Sequence, residues 1–217
     1  MKTFFLIVAG FLYPFVMNGT KDAYLQKMQQ TIGQMNQSTT IEQYQQVANT
    51  FERISAAETD QWQPMYYTAY CYVMMSFQVN DGSRRDEILD QAQVWIDKAF
   101  KVAPDESELF VLQAFLYPSR IIVNPIDRGM KYMDLTYKAL AKSKELNVNN
   151  PRAYYLEAVM IQNSPEAMGG GAEKALPVFE TSLEKFQQFK PNTIIDPDWG
   201  EEAARQSYSA LNNSIDE

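Results

Sequence analysis

The sequence predicts an all-α fold, an α-solenoid of about four stacked helix hairpins that ends in a C-terminal capping helix. From residue 21 onward, apolar residues recur at intervals of three and four, and no stretch of strand length alternates between apolar and polar residues. Turn-forming residues separate the periodic segments, as at residues 80–83. Short connections make neighbouring helices antiparallel, and one hairpin cannot bury both of its faces. The hairpins must therefore stack.

Helices are predicted, in chain order, over residues 22–34, 40–57, 64–79, 85–102, 107–117, 127–145, 151–162, 172–189 and 200–213. Residues 40–43, Thr-Ile-Glu-Gln, have the pattern of a capping box at the start of the second helix. Pro64 and Pro151 suit the first turn of a helix, where the backbone N–H has no partner within the helix. These start signals position the second, third and seventh helices.

Residues 1–19 are predicted to be a signal peptide, followed by a single domain over residues 20–217. Lys2 supplies a positive charge at the start, and residues 4–17 are almost entirely apolar, which is typical of a secretory leader. The run is too short for a stable membrane span. Retention of the segment as an uncleaved anchor is the alternative, because no clear small-residue pair marks a cleavage site. We expect an exported protein, most simply a periplasmic one.

Composition limits the possible functions of this 217-residue chain, which carries 27 acidic and 19 basic residues and no stripe of cations. Nucleic-acid binding is not expected, because counterion release needs clustered cations. The sequence has no histidine, which removes the commonest general base and transition-metal ligand. Its one cysteine, Cys71, cannot form an internal disulfide or a thiolate cluster and is expected to be a packed, inert thiol. We therefore expect no enzyme activity, no cofactor and no bound metal.

Small and large residues alternate along paired helices at a spacing typical of one repeat family. In the fourth predicted helix, Ala92, Ile96 and Ala99 are followed by Pro104, in the order small, bulky, small and proline. On this pattern the chain resembles the tetratricopeptide repeat (TPR) family over roughly residues 64–189. Small residues let helix axes approach, so these positions are predicted to be core. A helical repeat of another lineage, HEAT-like arrays included, stays an alternative because the later second helices match poorly.

The TPR resemblance implies that the first helix of each hairpin lines a concave face. The predicted partner-binding residues on that face are Thr68, Cys71, Met75, Gln78, Val111, Phe115, Tyr155, Val159 and Gln162. Such a lining suits an amphipathic helix, an extended peptide or a small apolar solute. The alternative is that the N-terminal hairpin or residues 121–123 fold over this face and make it ordinary core.

Three turns inside hairpins are longer than the repeat requires, at residues 80–85, 118–129 and 163–171. Stacking predicts that they share one edge, which would be a second binding surface, although drift in loop length is an equal alternative. Prolines are expected to hold residues 118–128 extended. Arg120 and Arg128 would then pair with a partner's carboxylate or form ordinary salt bridges. The glycine run at 168–171 is predicted to be a turn, with anion binding as the alternative.

The preferred functional hypothesis is an exported scaffold that binds a protein or peptide partner through the concave face and the loop edge. The alternative is a solute-binding accessory of an envelope uptake system. The chain resembles exported TPR-like components of some bacterial uptake systems, and that resemblance implies a small-molecule cavity inside the helical stack. Residues 196–202 are interpreted as the start of the cap, with Trp199 covering the final hairpin.

Overall fold

The computed structural model describes residues 16–215, with side chains described for residues 21–214. This part is all-α: it contains nine α-helices, one 3₁₀ turn (Glu166–Met168) and no strand. The α-helices are α1 (Val16–Asn36), α2 (Ile41–Ala57), α3 (Gln63–Phe77), α4 (Gly82–Val102), α5 (Ser107–Val123), α6 (Pro125–Leu146), α7 (Pro151–Gln162), α8 (Ala172–Gln188) and α9 (Glu201–Ile215). Helices α1 to α8 form four consecutive hairpins, and α9 packs on α8. The predicted solenoid with its terminal helix is confirmed.

Helices α1, α3, α5 and α7 form the inner layer of the stack. Helix α3 packs against α1 and α5 within this layer, and α5 packs against α7. The even-numbered helices lie outside, each against its hairpin partner. The positions predicted from small and large alternation are core, since Ala92, Ile96 and Ala99 are all 0% exposed. The TPR lineage itself stays a prediction.

Most of the predicted signal peptide, residues 1–15, lies outside the described residues. Helix α1 begins at Val16, before the predicted start of the domain at residue 20. The signal peptide therefore stays a prediction. Across the described helices, none combines the length and the apolar character needed to cross a membrane.

Side-chain caps set the starts of several helices. The predicted capping box is confirmed at α2: the Gln43 N–H donates to the Thr40 hydroxyl at 3.3 Å, and the Thr40 N–H donates to the Gln43 side chain at 3.2 Å. The Arg84 N–H donates to the Asp81 carboxylate at 2.7 Å, so α4 begins at Gly82 rather than at the predicted residue 85. Each cap satisfies a backbone donor that the first helical turn leaves without a partner.

The predicted extended insertion at residues 118–128 is wrong, because this segment is helical. Helix α5 continues through Pro118 to Val123, and α6 begins at Pro125 after the single residue Asn124. Proline removes one backbone donor but has a helical φ, so the helix continues at the cost of one hydrogen bond. The Asn124 side chain then accepts from the Asp127 N–H at 3.2 Å and caps α6. We call residues 118–130 the elbow, a pair of lengthened helix ends that meet at one residue.

The three lengthened turns lie along one rim of the stack. The elbow contacts the start of α4, where a Cβ added to Gly82 would lie 3.0 Å from the Val123 side chain. On its other side, the Ser164 hydroxyl of the α7–α8 turn lies 3.8 Å from the Met133 sulfur of α6. The common edge predicted from the sequence is therefore present, but in the elbow it is built from helix rather than from loop.

The glycine run forms a tight turn, as predicted. A Cβ on Gly170 would lie 2.0 Å from the Ser164 carbonyl oxygen, so only glycine fits there. The Gly170 N–H donates to the Pro165 carbonyl, and the Gly171 N–H donates to the Ile161 carbonyl, both at 3.0 Å. These two donors are used within the turn and are not available to an anion.

Candidate functional site

The concave groove predicted from the first helices is not open along α3. Thr68, Cys71 and Val111 are 0% exposed and Met75 is 1% exposed, so these four predicted contact residues are core. For the three residues on α3, the physical reason is that this helix packs against α1, α2, α4 and α5. Burial raises the pKa of the Cys71 thiol, which agrees with a packed, unreactive cysteine.

The other predicted groove residues are scattered rather than brought together. Gln78 is exposed just beyond the end of α3, and Gln162 is partly exposed at the end of α7. Phe115 is half-buried between the Tyr70 and Trp199 rings, with centroid distances of 5.9 and 5.4 Å. Tyr155 packs on the Phe179 ring at 6.3 Å. Val159 alone of this set lines the rim pocket described below.

A C-terminal strap, residues 190–200, covers the concave face. The Tyr67 hydroxyl donates to the Ile195 carbonyl at 3.0 Å, and the Trp199 indole N–H donates to the Tyr66 hydroxyl at 2.7 Å. Burial raises the pKa of both tyrosines, which keeps these hydroxyls protonated. The strap, rather than the N-terminal hairpin or residues 121–123, therefore fills the groove.

Trp199 packs against the final hairpin, with the Arg152 guanidinium 5.9 Å from its ring centroid, but its contacts also reach α3 and α5. Its ring lies 5.4 Å from those of both Tyr70 on α3 and Phe115 on α5. The strap ends at Gly200, which has a φ of 107°. A Cβ at Gly200 would lie 3.1 Å from the Phe186 ring and 3.5 Å from the Arg152 side chain, so glycine permits both the turn and the close approach.

A buried ion pair between two inner helices holds the strap through a hydrogen bond. Arg152, 0% exposed, forms a two-pronged contact with the Glu108 carboxylate at 2.7 and 2.9 Å. Asn150 donates to the same carboxylate at 2.9 Å, and Arg152 donates to the Trp199 carbonyl at 3.2 Å. Burial raises the pKa of the Glu108 carboxyl, and the Arg152 guanidinium opposes that effect. Sequence reasoning missed this pair, although Glu108 and Arg152 are both second residues of inner helices.

A rim pocket with a cavity volume of about 620 Å³ lies between the elbow and the α7–α8 turn. Its walls include Pro118, Ile121 and Ile122 from α5 and Val159 from α7. Helix α6 contributes Ile126, Gly129, Met130 and Met133, which share one helix face because they are spaced three and four residues apart. Among the described lining residues, only Asn163 and Ser164 have polar side chains.

The mouth of the rim pocket is unusually apolar for a surface exposed to water. Ile126 is 94% exposed, Met130 is 68% exposed, and Ile122 and Met168 are each 50% exposed. Contiguous exposed apolar side chains mark binding sites more often than isolated ones do. The sequence pointed to this region through its two lengthened turns and through residues 121–123, but Ile126, Met130 and Met168 were not among the predicted contact residues.

A charged cluster lies on the face of the elbow opposite the rim pocket, towards α4. Arg120 contacts Asp86 at 2.8 Å and Asp90 at 2.5 Å, and Arg128 contacts Asp86 at 2.8 Å. The Arg128 and Arg120 guanidinium groups lower the pKa of the Asp86 carboxyl. Both predicted partner-binding arginines therefore form internal salt bridges, which was the alternative left open. Lys131 is exposed in the same cluster and forms no ion pair with a described residue.

A second cavity of about 620 Å³ lies beside the strap, where part of the concave face is left uncovered. Tyr44, Tyr70 and Trp199 form its aromatic wall. Carboxylates border it, at Asp198 and at residues 201 and 202. This cavity is therefore acidic, whereas the described lining of the rim pocket is apolar and uncharged.

The stacked hairpins define the class of the protein, an all-α solenoid with a terminal helix. No family model matches the sequence, and comparison with curated protein sequences gave no match. Among solved structures, the chain is similar to the HusA haemophore from Porphyromonas gingivalis, with a TM-score of 0.80 and 32% sequence identity. The match covers 89% of this chain and 95% of the haemophore. The chain belongs to the family of this haemophore.

Proposed function

We propose that the protein is an exported carrier that binds haem, or a closely related porphyrin, in the rim pocket. The observation that carries the proposal is a cavity of about 620 Å³ with apolar walls and a mouth of exposed isoleucine and methionine. Pockets for compact organic ligands have volumes of roughly 300 to 1,000 Å³. Membership in the family of a haemophore supports this ligand class over other apolar solutes. The predicted signal peptide supports a periplasmic location, and we propose binding without catalysis.

The rim pocket fits the apolar part of a haem molecule. The flat macrocycle is largely apolar, so its faces would be stabilised by burial against Ile122, Ile126 and Met130. None of the described lining residues is charged, so the carboxylates at one edge of haem would extend into solvent at the pocket mouth.

The cavity beside the strap is a weaker candidate for the same ligand. Asp198, Glu201 and Glu202 border it, and these carboxylates would repel the carboxylates of haem. Arg205 is the arginine among its lining residues, and it is paired with Glu201 at 2.7 Å. Electrostatics therefore favour the rim pocket. The burial of four predicted groove residues also removes support from a peptide in the concave face.

Haem titration of the purified protein tests this proposal with one charge-introducing variant and a matched control. Ile126→Asp places a carboxylate at the pocket mouth, where contact with the macrocycle would desolvate it. We expect affinity to fall by about tenfold or more. Ile194→Asp is the control, because Ile194 is also an exposed isoleucine, at 62%, but lies on the strap. We expect it to bind haem as the wild type does.

Thermal unfolding should be unchanged in both variants, since neither isoleucine is buried. Failure of the wild type to bind haem, or equal losses in the two variants, would contradict the rim pocket as the haem site.

A further inference from the structure

We infer that Asp86 is a positioning residue for ligand binding: it fixes the elbow, and with it the apolar wall of the rim pocket, without touching the ligand. This inference rests on the proposed function and adds to it the contact that sets the shape of the site. Asp86 lies on α4 and is not among the residues that line the pocket.

One carboxylate oxygen of Asp86 joins three helices. It accepts from Arg120 near the end of α5 and from Arg128 in the first turn of α6, both at 2.8 Å. Arg120 also donates to the Asp86 backbone carbonyl at 3.2 Å and to the Asp90 carboxylate at 2.5 Å. The Arg120 side chain is only 11% exposed, so its pairing is partly shielded from salt. Helix α4 therefore holds both arms of the elbow through one carboxylate.

The two arginines and the pocket wall lie on opposite faces of the elbow. Arg120 comes two residues after Pro118 on α5, and Arg128 comes two residues after Ile126 on α6. Two residues correspond to a rotation of about 200° around an α-helix. Pro118 and Ile126 both line the rim pocket. The ion pairs therefore hold the elbow against α4 on the side away from the ligand.

The elbow has little hydrophobic core to keep it in place. Ser119 is the last buried residue of α5, and Thr136 is the next buried residue along the chain. Every residue in 120–135 is at least partly exposed. Segments with few buried apolar contacts open locally at a low cost in free energy. The ion pairs, together with the close approach of Gly82 to the Val123 side chain, therefore determine where the elbow lies.

A displaced elbow would move the pocket wall, because Ile122, Ile126 and Met130 all belong to it. A protein binds more weakly in proportion to the fraction of molecules that lack the binding-competent conformation. Loss of the Asp86 carboxylate should therefore lower haem affinity. A direct electrostatic role predicts the opposite, since removing a negative charge favours a ligand that carries carboxylates. The sign of the effect separates the two roles.

Haem titration of the wild type, Asp86→Asn, Arg128→Gln and the double variant tests this inference. We expect each single variant to bind haem about three- to fivefold more weakly. The double variant should lose less than about twofold beyond Asp86→Asn, because Arg128 and Asp86 form one contact. In the ligand-free protein, amide hydrogen exchange of residues 121–130 should be about fivefold faster in Asp86→Asn, since these amides open locally.

Asp134→Asn is the matched control, because it removes the same charge from α6 and breaks an exposed pair with Lys138. It should keep haem affinity and elbow exchange within about twofold of the wild type. Tighter or unchanged haem binding by Asp86→Asn would overturn the inference while leaving the rim pocket as the haem site. Unchanged exchange in the elbow would also overturn it. Failure of the wild type to bind haem would overturn the proposed function, and this inference with it.

Discussion

The concave face and the rim pocket are both rich in large apolar side chains, but they differ in what covers them. On the concave face, the strap places Ile195 at 2% exposure and packs Trp199 against the inner helices. At the rim, Ile126 and Met130 are 94% and 68% exposed, without a covering segment among the described residues. An apolar surface that the chain itself covers contributes to stability, and one left open is available for binding. The predictions below separate these two roles, from the largest expected effect to the smallest.

The sharpest test of the covered face is Arg152→Ala, which leaves the Glu108 carboxylate buried without its partner. Removing one member of a buried ion pair lowers the free energy of unfolding by about 3 to 5 kcal/mol. Urea denaturation followed by circular dichroism measures the loss. Arg205→Ala is the matched control, because Arg205 forms an exposed pair with Glu201, and it should cost less than about 1 kcal/mol.

If Arg152→Ala does not fold, the double variant Glu108→Gln/Arg152→Met restores charge balance and should recover part of the stability. Equal losses for Arg152→Ala and Arg205→Ala would show that the strap does not depend on the buried pair.

Trp199→Ala tests the strap itself. The ring is partly exposed, so we expect a loss of about 2 to 3 kcal/mol, below the full range for a buried tryptophan. Trp199→Phe keeps much of the packing but removes the hydrogen bond to Tyr66, and should cost only about 1 kcal/mol. Denaturation midpoints give both values.

The same variants should leave haem affinity unchanged, since Trp199 does not line the rim pocket. If the Trp199→Ala protein stayed folded but lost haem binding, the ligand would lie under the strap. The concave face, rather than the rim pocket, would then be the binding surface.

Local patterns were sufficient to predict the helices and their stacking. The positions of Ala92, Ile96 and Ala99 report a contact between adjacent helices, and such contacts repeat along the chain. The capping box at Thr40 is similarly local, because its partner Gln43 is three residues away. These features depend on spacing, which the sequence displays directly.

The elbow and the strap could not be predicted in the same way. Pro118 is a usual signal for the end of a helix, and nothing nearby indicates that α5 continues through it. Trp199 contacts Tyr66, which is 133 positions away in the sequence, so no local pattern predicts that contact. The groove residues were predicted because a helix pattern gives which residues face inward, but the pattern does not give which distant segment covers them.

The charged cluster of Asp86, Arg120 and Arg128 gives the smallest predicted effect. The Asp86 carboxyl has a lowered pKa in the folded protein. Its pairing with the arginines therefore adds to the free energy of unfolding at pH values above its ordinary pKa of 3.8. This contribution is lost as the pH falls through the pKa that Asp86 has in the folded state. Asp86→Asn should lower the free energy of unfolding by about 1 kcal/mol at neutral pH. The difference from wild type should shrink towards zero in acid, below pH 3.8. A difference independent of pH would show that the contribution of Asp86 is not electrostatic.

The most direct test of the central claim is a methyl NMR titration with metal-free protoporphyrin on protein labelled at the methionine methyl groups. The rim pocket contains Met130 and Met168, and the cavity beside the strap contains Met35. We predict that the Met130 and Met168 signals shift in a saturable way while the Met35 signal stays in place. A shift of Met35 with unmoved rim methionines would contradict the account and assign the ligand to the concave side.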